Sequence, residues 1–237
     1  GLGVVSGTGI AEVLMKNIAT GGSNDLSDAG WATPTANQSS AGATSFELFV
    51  YYKTTGKIYG ARAGTNIWAF TPDGSTAWAD TSHALAYTNI AQGLVHKKDD
   101  RLYIPYDNKI ARYDGSSWND TALSLLADLK IVSIEEDGNY LSIACAPLSG
   151  YGESTVFRWD RDSSLATITE RVTYGTDALK LIGKLGSDLI GISLGTFLSK
   201  SKVTFSYYTA DGPIPFLTLV GESTSTIVQS RKQKADG

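Results

Sequence analysis

Four segments of this chain share one cadence, an apolar run that stops at an aspartate turn. They are Ile67-Trp68-Ala69-Phe70-Thr71-Pro72-Asp73-Gly74, Ile110-Ala111-Arg112-Tyr113-Asp114-Gly115, Val156-Phe157-Arg158-Trp159-Asp160-Arg161-Asp162, and Val203 through Tyr208 into Thr209-Ala210-Asp211-Gly212. The turn aspartates, 73, 114, 160 and 211, are spaced by 41, 46 and 51 residues. A period of this size marks a stack of similar supersecondary units.

Each copy follows a hairpin-like pair of runs. Glu47–Tyr52 turns through Thr54-Thr55-Gly56 into Lys57–Gly60, and Gly93–Lys97 turns through Lys98-Asp99-Asp100 into Arg101–Ile104. Lys130–Ile134 turns at Asp137-Gly138 into Tyr140–Ile143, and Leu179–Ile182 turns near Gly186-Ser187 into Leu189–Ile192. The runs are short, rich in Val, Ile, Tyr, Phe and Trp, and bounded by Gly, Asp and Asn, which is the signature of strands and hairpins. Helical periodicity is poor. Its best stretches, Gly9–Asn17 and Thr121–Leu129, read as outer-strand or connector material. A unit of 40–50 residues with up to four strands is a β-propeller blade.

The sequence therefore predicts an all-β fold, a propeller of five blades with about four strands each. Four blades fall at 45–88, 89–129, 130–174 and 175–221. The fifth combines 1–44 with 222–237, because Gly7–Leu14 resembles Gly64–Phe70 and Ser225–Arg231 resembles a missing first strand. Setting Ala235-Asp236-Gly237 beside Gly1-Leu2-Gly3 recreates the hairpin turn of the other blades. On this reading the terminal strands pair and close the ring, which removes open sheet edges. The opening Gly1-Leu2-Gly3-Val4-Val5, without Met, and the closing Lys232-Gln233-Lys234-Ala235-Asp236-Gly237 read as ends either cut from a longer chain or processed.

Composition narrows the chemistry. A net charge of −4 argues against nucleic-acid binding through bulk charge. A single cysteine, Cys145, excludes an internal disulfide, and two histidines, His83 and His96, make a histidine-built metal centre a poor expectation. No cofactor or metal is expected, and no apolar stretch approaches the length of a membrane span.

Three groups of residues are candidates for sites. Trp31, Trp78 and Trp118 recur after Gly/Asp/Ser turns, so they serve either as packing between blades or as sugar-stacking platforms, one per blade. Tyr52, His96 and Glu135 fall at about the same level of aligned first strands, and strand alternation sends them together either to a central channel, as channel-facing candidates, or into the sheet. Glu135-Glu136-Asp137 and Asp160-Arg161-Asp162 are the acid clusters. Either paired acids would serve a glycosidase, or they are solvated turn charges. Asp160-Arg161-Asp162 lacks the spacing and glycine of a calcium loop. The stretch Thr71–Trp78 resembles a degenerate Asp-box, the hairpin motif of sialidase propellers, whose aspartate ties a turn. No catalytic residue is assigned.

Lys109–Trp118, Gly138–Ala144 and Thr155–Asp160 resemble propeller-type structural proteins of tailed phages and their metagenomic viral relatives, over roughly residues 45–235. The resemblance implies a non-enzymatic virion component or host-surface binder, in a virion or extracellular setting. Its partners would be other virion proteins or a surface glycan or protein, without nucleic acid or membrane insertion. The alternatives are a carbohydrate-binding propeller lectin with repeated sites and, third, a propeller glycosidase.

Overall fold

The computed structural model describes residues 2–5, 11–14, 48–61, 66–71, 78–149, 154–172, 178–197, 200–209, 212–222 and 225–230. All nineteen elements among them are strands. β1 (Leu2–Val5) and β2 (Ala11–Leu14) form an antiparallel pair. β3 (Leu48–Tyr52), β4 (Lys57–Ala61), β5 (Asn66–Phe70) and β6 (Ala79–Ala84) form a four-stranded antiparallel meander in chain order. β7 (Leu94–His96), β8 (Arg101–Tyr106), β9 (Lys109–Tyr113) and β10 (Trp118–Ser124) form the second sheet. β11 (Leu129–Asp137), β12 (Tyr140–Pro147), β13 (Ser154–Trp159) and β14 (Thr167–Val172) form the third. β15 (Ala178–Leu185), β16 (Asp188–Phe197), β17 (Lys200–Thr209), β18 (Gly212–Glu222) and β19 (Ser225–Ser230) form the fourth. The four first-to-second-strand hairpins expected from the sequence are present. Ala11–Leu14 and the start of the 121–129 stretch are strand, as read from their weak helical period.

Each first-to-second-strand hairpin places one residue in the left-handed region: Gly56 (φ 66°), Asp100 (φ 50°), Gly138 (φ 63°) and Gly186 (φ 65°). Glycine adopts that conformation without a Cβ clash, and Asp is among the few other residues that tolerate it. The chain divides into two compact units, residues 1–102 with 114–117, and residues 103–113 with 118–237.

In the first unit, Ile58, Phe70 and Trp78 form a buried cluster with Phe49 and Trp68 packed on it. The β3–β4 turn meets two other turns. The Tyr52 hydroxyl donates to the Asp100 carbonyl at 2.6 Å, and the Thr54 hydroxyl donates to the Asp100 carboxylate. A Cβ at Gly115 would lie 3.6 Å from both Thr54 Cγ2 and the Tyr52 hydroxyl.

In the second unit, Ala144, Val156, Leu179 and Ile182 join the third and fourth sheets in one core, with Val132 and Leu189 against it. Polar ties reinforce it. The Leu179 amide donates to Ser154 Oγ at 3.1 Å, and Ser133 Oγ donates to the Ile182 carbonyl at 3.4 Å. The opposite face of the third sheet buries Trp159 edge-on to Tyr103, with ring centroids 5.9 Å apart.

The C-terminal strand departs from the sequence reading. Ser225–Ser230 pairs with β18, in register from Glu222↔Ser225 to Leu217↔Ser230, as a fifth strand of the fourth sheet. The sequence placed it beside Gly1-Leu2-Gly3 as an inner strand. The physical reason is loop closure: only two residues separate Glu222 from Ser225, whereas pairing the chain ends closes a loop of more than two hundred. Leu2–Val5 is paired with β2. Residues 235–237, the expected closing turn, lie outside the described residues.

Candidate functional site

The repeated aspartates hold turns. Asp114 Oδ1 accepts from the amides of Ser116 and Ser117, each at 2.8 Å, and its carboxylate also accepts from both serine hydroxyls at 2.8 Å. These donors, led by the Ser117 amide, hold its carboxyl far below the usual carboxylate range. Asp160 repeats the arrangement. Its Oδ1 accepts from the amides of Asp162 at 3.0 Å and Ser163 at 2.8 Å, and from Ser163 Oγ at 2.9 Å. The Ser163 amide, then the Asp162 amide, lower its carboxyl. In both turns the next residue has positive φ, Gly115 at 98° and Arg161 at 75°. Asp73 and Asp211 lie outside the described residues.

Within the Asp160-Arg161-Asp162 cluster the middle residue, Arg161, is buried. Its guanidinium donates twice to the Asn139 carbonyl, at 3.1 and 2.9 Å, and its own carbonyl accepts from Arg112 Nη1 at 2.7 Å. Asp160 and Asp162 are exposed.

The tryptophans divide. Trp31 lies outside the described residues. Trp78 is buried at 3% exposure, with the Phe70 ring centroid 5.4 Å away and that of Phe49 at 6.2 Å. A ring so enclosed packs the first sheet and presents no face to a sugar. Trp118 is half-buried and stacks on Tyr113, with centroids 4.4 Å apart and planes 18° from parallel.

Tyr52 and His96 are both fully buried. Burial first, and the Asp100 charge second, raise the Tyr52 pKa. His96 Nδ1 accepts from the Lys98 amide at 3.2 Å. Glu135 is half-buried and pairs across the strands with Ser142. It does not share the strand level of the other two. Tyr52 and His96 each precede a four-residue turn, whereas the third hairpin turns in two residues, so Asp137 holds that level. Burial raises the thiol pKa of Cys145, as an inert core cysteine requires.

The third sheet carries a groove of about 290 Å³, lined by Tyr140, Arg158, Asp160, Ser163, Leu165 and Thr167. Strand register builds it: Ser142 pairs with Arg158 and Arg158 with Thr167, so one row crosses three strands. The Arg158 guanidinium lies 4.0 Å above the centre of the Tyr140 ring, a cation–π contact. Its Nε is 3.5 Å from Asp137 Oδ2, and Lys184 Nζ holds the other Asp137 oxygen at 2.6 Å. Leu165, 80% exposed, forms an apolar rim. Sequence reading singled out neither Tyr140 nor Arg158 as a site. Among the described residues no cluster of three metal-ligating side chains occurs, and no helix is long and apolar enough to cross a membrane.

No protein-family model matches this chain, and no curated protein matches its sequence. Solved structures do. The WD40 β-propeller domain of Doa1 is 11% identical with a TM-score of 0.54, covering 98% of this chain and 90% of that one. A chain of the COPII outer coat vertex on membranes is 12% identical with a TM-score of 0.55, covering 93% of this chain and 69% of its own. An exo-β-1,3-galactanase from Phanerochaete chrysosporium is 10% identical with a TM-score of 0.49, covering 77% of this chain. This chain spans about half of that enzyme's length, 51%, and at that score the likeness says nothing of activity. The first two likenesses show the fold, all-β and of propeller type, with four-stranded antiparallel sheets.

Proposed function

We propose that this chain is a non-enzymatic binding module, a propeller-type scaffold that presents a ligand groove on its third sheet. The carrying observation is that groove. It places a partly exposed arginine, an aromatic ring, a carboxylate and an apolar rim around one small open volume. Convergent polar groups in a concavity are the general mark of a ligand site. Asp160 and Arg161 hold backbone, so they supply rigidity to the turn that frames it. The proposal includes five blades, the fifth drawn from the segment that carries β1 and β2. It also places the module in a phage-like particle, as a structural or host-surface-binding component, on the strength of the blade-motif resemblance.

A glycan and protein array tests the module reading. The full chain should retain a ligand on the array and return it chemically intact, and Arg158→Ala should lose it. Release of a cleaved product would overturn the non-enzymatic reading. An antibody against the chain should decorate phage-like particles in negative-stain micrographs. Staining confined to particle-free material would overturn the virion placement.

A second reading has one observation in its favour. The half-buried Trp118 on Tyr113 offers a stacked aromatic pair. A lectin that used it would lose sugar binding in Trp118→Ala and keep it in Arg158→Ala.

A further inference from the structure

The geometry points to an acidic sugar unit, a hydroxylated ring that bears a carboxylate, as the ligand of the groove on the third sheet. This inference rests on the binding-module reading. Its first support is Arg158. The guanidinium is fixed from below by the Tyr140 ring and at Nε by Asp137. Asp137 is shared with Lys184, so it neutralises the arginine only in part. The side chain is 44% exposed, and its two Nη atoms make no hydrogen bond among the described residues. A planar fork held in this way matches a carboxylate bidentately.

The second support lines the same groove. Asp160 uses Oδ1 for the turn, and its Oδ2 has no hydrogen bond among the described residues. An ionised carboxylate oxygen is an acceptor only. The groove therefore offers both a cationic fork and an anionic acceptor. A ligand with two anionic groups would meet repulsion at Asp160. One anion together with neutral hydroxyl donors satisfies both groups, and the Thr167 hydroxyl adds a donor and acceptor. Leu165 provides apolar surface for the C–H face of a ring. The volume, about 290 Å³, lies at the small end of ligand sites, which fits one ring rather than a long chain.

The test is calorimetric titration of the full chain with glucuronate, glucose and acetate. Saturable binding should follow the order glucuronate above acetate and glucose. Arg158→Gln should weaken glucuronate by roughly 10-fold or more, the usual worth of a charge-assisted pair. Arg158→Lys keeps the charge and loses the fork, and it should recover only part of the loss. Asp160→Asn keeps an oxygen for the turn amides and removes the acceptor, so it should shrink the preference for glucuronate over acetate. Melting curves confirm that each variant is folded. Equal affinity for glucuronate and glucose, no saturable binding of glucuronate, or an unchanged affinity in folded Arg158→Gln would overturn the acidic-sugar inference. The two readings fail separately. A neutral glycan or protein retained on the array sinks this inference and spares the module. Cleavage of a bound acidic glycan sinks the non-enzymatic module and spares the acid site.

Discussion

The third and fourth sheets follow one plan and finish it differently. In the third, β12 buries six consecutive residues, Leu141 to Ala146, so both faces of that strand are covered. In the fourth, β15 buries Leu179 and Ile182, while Leu181 and Leu185 stand 48% and 62% exposed. Leu194 on β16 is 43% exposed. A one-residue step thus separates core from surface in the fourth sheet, and no such step exists along β12 from Leu141 to Ala146. An apolar side chain tells little about stability until its face is known, because the hydrophobic contribution scales with area removed from water.

The largest expected effect lies in the third sheet. Trp159→Ala removes a ring that is 1% exposed, its edge contact with Tyr103, and the Nε1 hydrogen bond to the Ser163 carbonyl at 2.7 Å. It should cost about 3–5 kcal/mol in urea unfolding. A loss under about 1 kcal/mol would mean that the third sheet is not the better-buried one. The direct comparison comes next. Ile143→Ala, at a fully buried position, should cost about 2–5 kcal/mol. Leu194→Ala should stay within about 0.5 kcal/mol, as exposed substitutions do. Equal losses in the two would erase the distinction between the sheets.

A smaller effect sits at their junction. Ser154 is buried, and its Oγ accepts from the Leu179 amide of the neighbouring sheet. Ser154→Ala strands a buried donor, which costs about 1–3 kcal/mol. Faster amide exchange at Leu179 in the variant, with other β15 amides unchanged, would locate the loss. Unchanged exchange at Leu179 would show that the tie is not made in solution.

Much of this contrast was legible in the sequence. Runs such as Leu141–Ala146 and hairpin signals such as Asp137-Gly138 are local, and local propensity with turn chemistry decides them. What was not legible depends on register. Tyr140 and Arg158 are eighteen residues apart, and only the Ser142↔Arg158 pairing brings them to one face. Alternation along β12 and β13, once the Asp137-Gly138 turn fixes the pairing, was the available signal. The enclosure of Trp78 was equally hidden, because a tryptophan near a turn reads the same whether its ring faces Phe70 or water. The burial of Arg161 was hidden as well, because charged residues are seldom fully buried unless paired, and here a backbone carbonyl serves as the partner.

The smallest effect concerns acid, and it separates the two tied turns from the core. Asp114 and Asp160 both have folded-state pKa values below the unfolded value, because backbone amides donate to the ionised form. A depressed carboxyl contributes stability that is fully present above its unfolded pKa, about 3.9, and is lost as pH falls through the folded value. The wild-type chain should therefore lose stability as pH drops below about 4, and part of that slope belongs to these turns. Asparagine keeps a carbonyl oxygen for the same amides but does not titrate in this range. Asp160→Asn and Asp114→Asn should each flatten the acid limb, by lowering the melting temperature slightly at neutral pH and leaving it close to wild type in acid. Both carboxylates are exposed, so solvent screens the effect and keeps it small. An acid limb as steep in the double variant as in wild type would show that other carboxylates drive acid unfolding.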